Sequence, residues 1–331
     1  MPKITVIIPV YNVGKYIENS MKSVIAQNFK DFEVLLVDNN TLDDSIEIAE
    51  KILAGSGVNY RIVKQTIQGL PAARNMGIAE AKGEWCVSID PDDTISPLFL
   101  EELYNCATES NLLVVFGEYD EVKEDKLFAF PEERKVNTFE ILDREYTMKN
   151  LLTRKLPLMV SNMFFRKSFF NDHEFQFDQD VILGADLMLV WRILLNLDKI
   201  GHLNKKMYNH FFRPDSLITA PSSKKIETNL AGYRRTCDYI SAIYNKEFSE
   251  WIYARELFGL LSVVSVHGEY EIFKENVIKY YNADIHKSLQ TFPDKRINIM
   301  DKILYHCPRL FFIINKQLRQ PNSMLNKMLH K

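Results

Sequence analysis

Strand-like and helix-like segments alternate through the first hundred residues, and this alternation limits the folds open to the chain. The strand-like segments are rich in β-branched or apolar residues and cover residues 4–11, 32–38, 60–65 and 84–90. The helix-like segments space their apolar residues on one face and cover residues 14–27, 41–55 and 70–83. This β-α-β-α-β-α-β order predicts an α/β fold with a doubly wound, mainly parallel sheet. Such a sheet binds ligands beyond the carboxyl ends of its strands.

The rest of the chain divides into two parts. Residues 101–221 mix helices with short apolar runs, and a polar stretch at 120–135 should form an exposed hairpin or loop. Residues 222–331 are mostly helical in pattern, with breaks at Pro308 and Pro321. We therefore predict a Rossmann-like domain followed by a helical C-terminal extension.

Composition and net charge exclude several classes of protein. A chain of 331 residues is long enough for one large domain or for a domain with an extension. Its net charge of −3 argues against nucleic acid as a partner. The four cysteines are far apart and form no C-x-x-C pair, which favours reduced thiols over disulfides or a zinc site. No apolar run approaches the roughly 20 residues that span a bilayer, and the first residues follow a strand pattern, so we expect a cytoplasmic protein.

Three carboxylates crowd together at the end of the fourth strand-like segment, at Asp90, Asp92 and Asp93. One interpretation is a cap for the helix that follows, because Asp is favoured at that position. Three acids exceed what one cap needs, however, and they lie where a doubly wound sheet places its ligand site. Hard oxygen ligands suit Mg²⁺ or Mn²⁺, whose shell substrate phosphates often complete. We therefore predict a divalent cation and a substrate that carries a diphosphate.

Three segments carry a resemblance to a known family. VIIPVYNVGKYIENSMKSVIAQNFKDFEVLLVDN, GLPAARNMGIAEAKGEW and SIDPDD together resemble the family 2 inverting glycosyltransferases of GT-A fold. The resemblance covers residues 3 to about 100 and continues more weakly to about residue 220. It implies a GT-A type sheet, a nucleotide-diphospho-sugar donor that is usually linked to UDP, and Mn²⁺ or Mg²⁺ as cofactor. Residues 1–100 would then form the nucleotide-sugar-binding half and residues 101–221 the acceptor-binding half.

The resemblance also implies which residues meet the nucleotide. Pro9, Tyr11 and Asn12 match the stretch that packs against the base, and Tyr11 offers an aromatic face, although it could also be an ordinary half-buried strand end. The family usually carries two acids where this chain has Asp38 and Asn39. The second acid accepts a hydrogen bond from N3–H of uracil, and an amide oxygen can still accept that bond without a charge.

Further residues are implied for the diphosphate and the cation. The motif GLPAARN begins at Gly69, and its Arg74 would reach the diphosphate or order the metal-binding loop. An exposed helix cation is the alternative for Arg74. By resemblance, Asp90 faces the ribose or the sugar, and Asp92 and Asp93 are the candidate metal ligands.

The predicted general base is Asp186, in the segment ILGADLMLVWRIL. Inversion by direct displacement needs one carboxylate to take the proton of the acceptor hydroxyl. The family often opens this helix with a Glu-Asp pair, and this chain keeps the Asp but has Ala185 in place of the Glu. A plain acid at a helix start is the alternative, and Asp178 and Asp180 are fallback candidates for the base.

The segment MYNHFFRPDSLIT resembles the one that closes the family's catalytic domain. It implies that His210 and Arg213 meet the diphosphate from the other side. A structural role is the alternative for His210, because a lone histidine is more often structural than a ligand.

The C-terminal residues 302–331 contain no Asp or Glu, and basic residues interleave there with apolar ones. Such an amphipathic segment can lie on an anionic membrane as a peripheral contact. The alternatives are a helix that packs on the protein itself and a homodimer contact.

Together these features predict an inverting, metal-dependent enzyme. It would move a hexose or N-acetylhexosamine from a UDP-sugar to a hydroxyl of a lipid-linked glycan acceptor, in the synthesis of surface polysaccharide at the inner face of the cell membrane. Two alternatives remain open. A sugar nucleotidyltransferase would need a Gly-rich basic signature that this sequence lacks, and a non-catalytic GT-A scaffold is suggested by the changes at Asn39 and Ala185.

Overall fold

The computed structural model describes residues 1–123, 126–130, 138–211 and 222–318. Contacts divide the chain into two compact units. The first comprises residues 1–179 and 185–213, and the second comprises residues 180–184 and the chain from residue 214 onward. The first unit is built of strands and helices, and the second is helical.

The first unit opens with an alternation of strands and helices. Its first elements are β1 (Ile4–Val10), α1 (Ile17–Ile25), β2 (Phe32–Asp38), α2 (Ser45–Ala54), β3 (Asn59–Lys64), α3 (Leu70–Glu80) and β4 (Trp85–Ser88). The predicted order is confirmed. The first two helices are shorter than predicted because turn and capping residues such as Gly14 and Asp43 belong to the loops before them.

The second part of this unit contains shorter and more irregular elements. They are β5 (Thr94–Ile95), α4 (Phe99–Glu109), β6 (Val114–Val122), β7 (Phe139–Asp143), α5 (Arg144–Leu152), β8 (Met163–Arg166), α6 (Lys167–Asp172), α7 (Ala185–Leu195) and β9 (Lys199–Phe211). The polar stretch predicted as a hairpin or loop starts inside β6, and its residues 124–125 and 131–135 lie outside the described ranges.

All nine strands of the described ranges join one sheet, in the order β3-β2-β1-β4-β8-β6-β9-β5, with β7 also paired to β9. The strands β3, β2, β1 and β4 are parallel, as predicted. The strand β8 runs antiparallel between β4 and β6, and β9 is parallel to β6 but antiparallel to β5 and β7. The sheet is therefore mostly parallel on one side and mixed on the other.

Burial along the strands follows their position in the sheet. Every residue of β1 is buried, which accounts for its continuous apolar sequence. The strand β3 lies at the edge and is only partly buried, which accounts for the polar residues among its apolar ones. Gly83 precedes β4 where a Cβ would lie 2.5 Å from the backbone nitrogen of Thr5, so only glycine fits there without displacing β1.

A buried carboxylate ties the three strands at this side of the sheet together. Glu33 of β2 accepts hydrogen bonds from the Thr5 hydroxyl of β1 at 2.8 Å and from the Arg61 Nε of β3 at 2.9 Å. It also accepts one from the backbone N–H of Lys82 at 2.9 Å. Burial would raise the pKa of Glu33, but these hydrogen bonds, above all that from Arg61, lower it below its usual value.

The second unit consists of helices over the described part of its length. They are α8 (Ser223–Ile243), α9 (Lys246–His267), α10 (Tyr270–Tyr280), α11 (Ala283–Thr291), α12 (Lys295–His306) and α13 (Pro308–Leu318). Their core packs Leu257 and Leu261 of α9 with Phe273, Leu289 and Phe311. The helical pattern predicted for this region is thus confirmed.

The predicted break at Pro308 is the first residue of α13, a position where a missing N–H leaves no helical bond unmade. Pro321 and residues 319–331 of the predicted basic tail lie outside the described ranges. Among the helices that the structure describes, none has the length and apolar character needed to cross a membrane.

Candidate active site

The candidate site lies at the carboxyl ends of β1, β2 and β4, which run in the same direction and therefore end at the same edge of the sheet. Pro9 is buried within β1, and Tyr11 follows the strand with 46% of its surface exposed. Its exposure agrees with the predicted stacking face, since an aromatic ring at a ligand edge must be reachable. The contact with a base stays a prediction.

The loops after β1 and β2 are joined by hydrogen bonds between side chains and backbone. The Asn12 side chain accepts from the Leu42 N–H at 2.8 Å, and the Asn12 N–H donates to the Thr41 hydroxyl at 2.8 Å. Asp43 accepts from the Gly14 N–H at 2.9 Å and also caps the turn at Ser45. The Asp38 carboxylate accepts from the Thr41 N–H at 3.0 Å. The two loops therefore form one preorganised surface.

Asn39 has a different environment from the one that its sequence position suggests. It is 2% exposed, and its amide donates to the backbone oxygens of Ile67 at 2.7 Å and Gln65 at 3.3 Å. Its oxygen accepts from the Gly69 N–H at 2.7 Å. A carboxylate could not donate to the two carbonyl groups, so an amide is the side chain that this loop requires. Acceptance of a hydrogen bond from uracil stays a prediction.

Gly69 itself precedes α3 with a φ of 131°, in the region that favours glycine. Its N–H is held by Asn39, as described above, and Pro71 occupies the first turn of the helix. The GLPAARN motif thus combines a turn that requires glycine with the start of a helix.

Arg74 is the centre of the site. Its side chain is 1% exposed, so it is not the exposed helix cation considered as an alternative. Its Nη1 lies 2.5 Å from Asp186 Oδ1, and its Nη2 lies 2.6 Å from Asp90 Oδ1. The guanidinium carbon is also 5.6 Å from the ring centre of Phe177. Burial would lower the pKa of Arg74, but the two carboxylates raise it above its usual value.

Asp186 lies in the first turn of α7, and 43% of its side chain is exposed. One oxygen is held by Arg74, so a part of this carboxylate remains open to a ligand. The fallback candidates differ in burial, because Asp178 is half-buried and Asp180 is exposed. The structure therefore brings together Arg74, Asp90 and Asp186, three residues that sequence motifs singled out separately.

Asp93 is fully buried, and its two oxygens face β9. One accepts from the backbone N–H of Phe211 at 2.8 Å, and the other accepts from the Tyr208 hydroxyl at 2.6 Å and lies 3.2 Å from His210 Nδ1. Burial raises the pKa of Asp93, and the hydrogen bond to Asp93 raises the pKa of His210 to about 9. Direct ligation of a cation by Asp93, as the resemblance implies, would have to use the remaining acceptor site of a side chain that is closed to solvent.

Tyr208 was not identified from the sequence as a site residue. Its hydroxyl lies 3.3 Å from the Asp90 backbone nitrogen as well as against Asp93, and the side chain is buried. Burial and the nearby carboxylates raise the pKa of Tyr208 well above its usual value. In the sequence, a tyrosine within an apolar strand resembles an ordinary core residue. Its contacts with the DPDD loop become apparent only when the structure places β9 beside that loop.

A divalent cation can be tested against the charges and donors at this edge. The described residues contain no cluster of three or more His, Cys, Asp or Glu side chains placed to hold a metal ion by themselves. Among the candidate residues that the structure describes, the carboxylates of Asp90, Asp92, Asp93 and Asp186 outnumber the Arg74 guanidinium and the His210 imidazole, so these groups together would repel an added diphosphate. Asp90 is 25% exposed and Asp92 9%. The residues thus fit a cation that takes the rest of its shell from phosphate oxygens.

Arg213, the remaining candidate for the diphosphate, lies outside the described residues. The side chain of His210, three positions before Arg213, is 37% exposed. The predicted contact of His210 with a diphosphate is neither made nor blocked by its bond to Asp93, because only Nδ1 is engaged.

Comparisons with known proteins identify the family and the fold. A model of the family described as Glycosyl transferase family 2 matches residues 5–174. The Cholesterol galactosyltransferase of Borreliella burgdorferi is 27% identical over 320 residues, which covers 88% of this chain and 85% of that protein.

Solved structures share the fold. The crystal structure of S. aureus TarS 1–349 in complex with UDP-GlcNAc matches with a TM-score of 0.65 and 20% identity, over 95% of this chain and 89% of that one. Mannosyltransferase PcManGT from Pyrobaculum calidifontis, in complex with GDP-Man and Mn²⁺, matches with a TM-score of 0.53 and 14% identity, over 95% and 86%. The predicted GT-A fold is confirmed. Because the family model also spans more than half of the 331 residues, the chain belongs to glycosyl transferase family 2.

Proposed function

We propose that this glycosyltransferase is an inverting, divalent-cation-dependent enzyme that uses a UDP-sugar. It transfers a hexose or N-acetylhexosamine to a hydroxyl of a glycan acceptor. The observation that carries the proposal is the buried Arg74, which holds Asp90 with one nitrogen and Asp186 with another. One guanidinium thereby fixes the distance between the donor-side acid and the candidate base.

Asp186 acts as the general base in this proposal. Arg74 orients one of its oxygens, and the exposed remainder of the carboxylate can accept a proton from an acceptor hydroxyl. The acceptor oxygen forms a bond to C1 of the sugar as the bond between C1 and the diphosphate oxygen breaks. The electron pair leaves with UDP, the proton passes to Asp186, and the configuration at C1 inverts.

Arg74 itself orders the acids more than it binds the diphosphate. Both of its terminal nitrogens are engaged by carboxylates and its side chain is buried, which supports the second of the two roles predicted for it. Asp92 is the proposed direct metal ligand, and Asp93 holds the DPDD loop against β9. A bound Mn²⁺ or Mg²⁺ would offset the charge that develops on the leaving diphosphate.

The nature of the donor is inferred from the exposed ring and from structural relatives. Tyr11 supplies a face for a base at the edge where Asp38 and the loop held by Asn39 end. A structure of similar fold was solved with UDP-GlcNAc and another with GDP-Man and Mn²⁺. We favour UDP because Tyr11, Asp38 and Asn39 occupy the positions that bind uracil in the family that the sequence resembles.

We infer a lipid-linked glycan of the cell surface as acceptor, with the enzyme acting at the inner face of the cell membrane. One relative is a cholesterol galactosyltransferase, and a lipid-type acceptor in a relative supports a lipid-linked acceptor here. Helix α13 also presents exposed Leu310 and Ile313, each 45% exposed, beside Arg309 and Lys316. Apolar and basic side chains on one helix support contact with an anionic bilayer; a homodimer through this helix is the alternative.

The test of the membrane contact uses substitution because Phe311 of the same helix is fully buried, so deletion of the tail would disturb the core. The variant Leu310→Ser with Ile313→Ser should lose sedimentation with phosphatidylglycerol vesicles. Full-length protein that never sediments with them would exclude the contact. A concentration-dependent mass in sedimentation velocity that the same double variant abolishes would instead indicate the homodimer.

The test of the enzymatic proposal is release of UDP. Purified protein is incubated with a panel of UDP-sugars, with and without Mn²⁺ or Mg²⁺, and free UDP is measured, because slow hydrolysis needs no known acceptor. Metal-dependent release from one donor would support the proposal and name the sugar. Release from GDP- or dTDP-sugars alone would exclude UDP. Pyrophosphate formed from a sugar phosphate and a nucleoside triphosphate would identify a nucleotidyltransferase, and nucleotide binding without turnover would identify a scaffold.

A further inference from the structure

The helical second unit contains a groove of about 810 Å³ that the proposed reaction does not use. Helices α8, α9 and α11 form its walls, and all of its lining residues belong to this unit. Its size is in the range of about 300–1,000 Å³ that is usual for sites binding small ligands. A cavity of this size between packed helices is large enough to hold part of a substrate.

Two aromatic side chains line the groove and are held in place. The indole Nε1 of Trp251 donates to the Thr291 hydroxyl at 3.0 Å, which links α9 to α11. The Tyr253 hydroxyl accepts from Arg234 Nε at 3.0 Å, and the Arg234 guanidinium carbon lies 5.6 Å from the centre of the same ring. Neither ring needs to be ordered when a ligand arrives, which lowers the entropic cost of binding.

The polar groups of the groove are mixed in sign. Three basic side chains and four acidic ones line it, along with hydroxyl groups at Ser241, Ser249, Ser288 and Thr291. The near balance of charge disfavours a polyanion, since its repulsion by the acids would offset the attraction of the cations. The abundance of donors and acceptors equally disfavours an apolar ligand, which would leave them unpaired.

A neutral saccharide meets these conditions. Its hydroxyl groups both donate and accept, so they can pair with carboxylates, ammonium groups and side-chain hydroxyls alike. Its C–H faces are apolar and pack on an aromatic ring such as that of Trp251. The combination of fixed rings with charged and hydroxyl side chains is therefore complementary to a chain of sugar residues.

We infer that the groove binds a neutral oligosaccharide segment of the acceptor glycan. The identification of the ligand as acceptor rests on the proposed function, whereas the binding of a saccharide does not. The enzyme would then recognise its acceptor through the groove as well as through the residues proposed for transfer, and it would prefer acceptors that carry the bound segment.

The test uses the tryptophans of the chain as reporters. Of the three, Trp85 and Trp191 are 3% and 1% exposed, and Trp251, which lines the groove, is half-buried. The full-length protein is titrated with neutral oligosaccharides of two to six sugars from a glycan array on which it is first screened. We expect saturable change in fluorescence and protection of Trp251 from acrylamide quenching, with affinity confirmed by calorimetry.

Variants assign the binding to the groove. Trp251→Ala and, at an exposed position less involved in packing, Asp284→Asn should each weaken binding about tenfold, as expected for loss of one aromatic or one polar contact. Ile278→Ala, at a position of α10 that is 74% exposed and outside the groove, is the control and should bind as the unaltered protein does. All variants should retain UDP release without acceptor.

The outcomes separate the two proposals. No retention of any glycan on the array, or binding that Trp251→Ala and Asp284→Asn leave unchanged, would overturn the groove as a saccharide site even if UDP release is normal. Glycan binding without UDP release from any donor would leave the groove in place and overturn the proposed reaction. With both present, a Trp251→Ala enzyme should show a raised KM for an acceptor that carries the bound oligosaccharide and an unchanged KM for an acceptor that lacks it.

Discussion

Arg74 and Asp186 are 112 residues apart in the sequence, yet a terminal nitrogen of the first lies 2.5 Å from a carboxylate oxygen of the second. The same guanidinium binds Asp90 at 2.6 Å. Asp90 follows β4, whereas Asp186 lies in the first turn of α7, and each would repel the other without the cation between them. Their relative position therefore depends on one side chain that no ligand can easily reach.

Replacement of Arg74 should lower both stability and activity. Arg74→Met leaves two carboxylates without their partner, and we expect the free energy of unfolding to fall by about 2–4 kcal/mol. The loss stays below that of a wholly buried pair because 43% of the Asp186 side chain is exposed. Urea unfolding measures the change. Arg74→Lys keeps the charge but cannot bridge both acids in a planar fork, so UDP release should still fall.

The control is Arg166→Met, since Arg166 pairs with Glu84 at 2.8 Å on the surface, where 40% of its side chain is exposed. Its loss should change the free energy of unfolding by less than about 1 kcal/mol. Equal effects of the two substitutions would mean that the Arg74 cluster contributes no more than a surface ion pair.

Asp186→Asn should abolish transfer while leaving nucleotide affinity nearly unchanged. An amide cannot take the proton of the acceptor hydroxyl, and removal of a general base lowers kcat about 10²–10⁴-fold. Calorimetry with UDP and Mn²⁺ measures affinity, and initial rates measure kcat. Asp178→Asn, at the more buried of the two fallback candidates, is the matched control. Full activity in Asp186→Asn together with loss in Asp178→Asn would transfer the role of base to Asp178.

Asn39→Asp should lower the stability of the protein and its affinity for UDP, although it restores the acid that is usual in the family. The amide donates to the backbone oxygens of Gln65 and Ile67, and a carboxylate would face those oxygens without a hydrogen to offer. We expect a loss of about 1–3 kcal/mol in the free energy of unfolding and weaker UDP binding through disorder of the loop before α3. Thermal unfolding and calorimetry test this.

Asn40→Asp is the neighbouring control, because Asn40 is half-buried and its bond to the Thr66 backbone oxygen is open to solvent. It should have a smaller effect on stability. If Asn39→Asp instead bound UDP more tightly at unchanged stability, residue 39 would be chiefly a base contact and not a loop anchor.

Glu33 should make stability depend on pH in the acid range. Its pKa in the folded protein is lowered from 4.5, because the hydrogen bonds from Arg61, Lys82 and Thr5 outweigh the effect of burial. A carboxylate with a lowered pKa contributes stability that is fully present above its unfolded pKa and is lost as the pH falls through its folded pKa. Glu33→Gln should therefore be less stable than the unaltered protein at about pH 7, with a gap that narrows toward about pH 4.

Urea midpoints at several pH values measure that gap. Glu47→Gln, at an exposed position of α2, should show almost no gap at any pH. A Glu33→Gln gap that is constant with pH would mean that the side chain contributes through packing and not through its charge.

Much of the sheet was predictable because it is encoded locally. Buried strands such as β1 and β2 can be recognised in the sequence by their largely apolar runs. Each helix between two parallel strands returns the chain to the edge of the sheet at which the next strand begins. The insertion of β8 between β4 and β6 was not predictable, because its partners lie far away in sequence and its four residues carry no distinctive pattern.

The sequence predicted which residues belong to the candidate site, but it did not predict which of them contact one another. Motifs singled out Arg74, Asp90 and Asp186, and the structure brings them together. Burial of Arg74 could not be foreseen, since α3 has a weakly amphipathic sequence in which a charged residue is expected to face solvent. In the sequence, Asn39 appeared only to replace an acid by an uncharged hydrogen-bond acceptor. Its role as a donor could not be predicted, because the carbonyl groups of Gln65 and Ile67 that accept from it belong to another loop.

The interlocking of the loops after β1 and β2 has a consequence for attempts to redesign this enzyme. Asn12 and Gly14 on one loop are matched to Thr41, Leu42 and Asp43 on the other, bond for bond. A chimera that takes only one loop from a relative with another donor would lose the hydrogen bonds that join the two loops. Residues 11–14 and 41–45 should therefore be exchanged as a single cassette, and they should vary together wherever the nucleotide has changed.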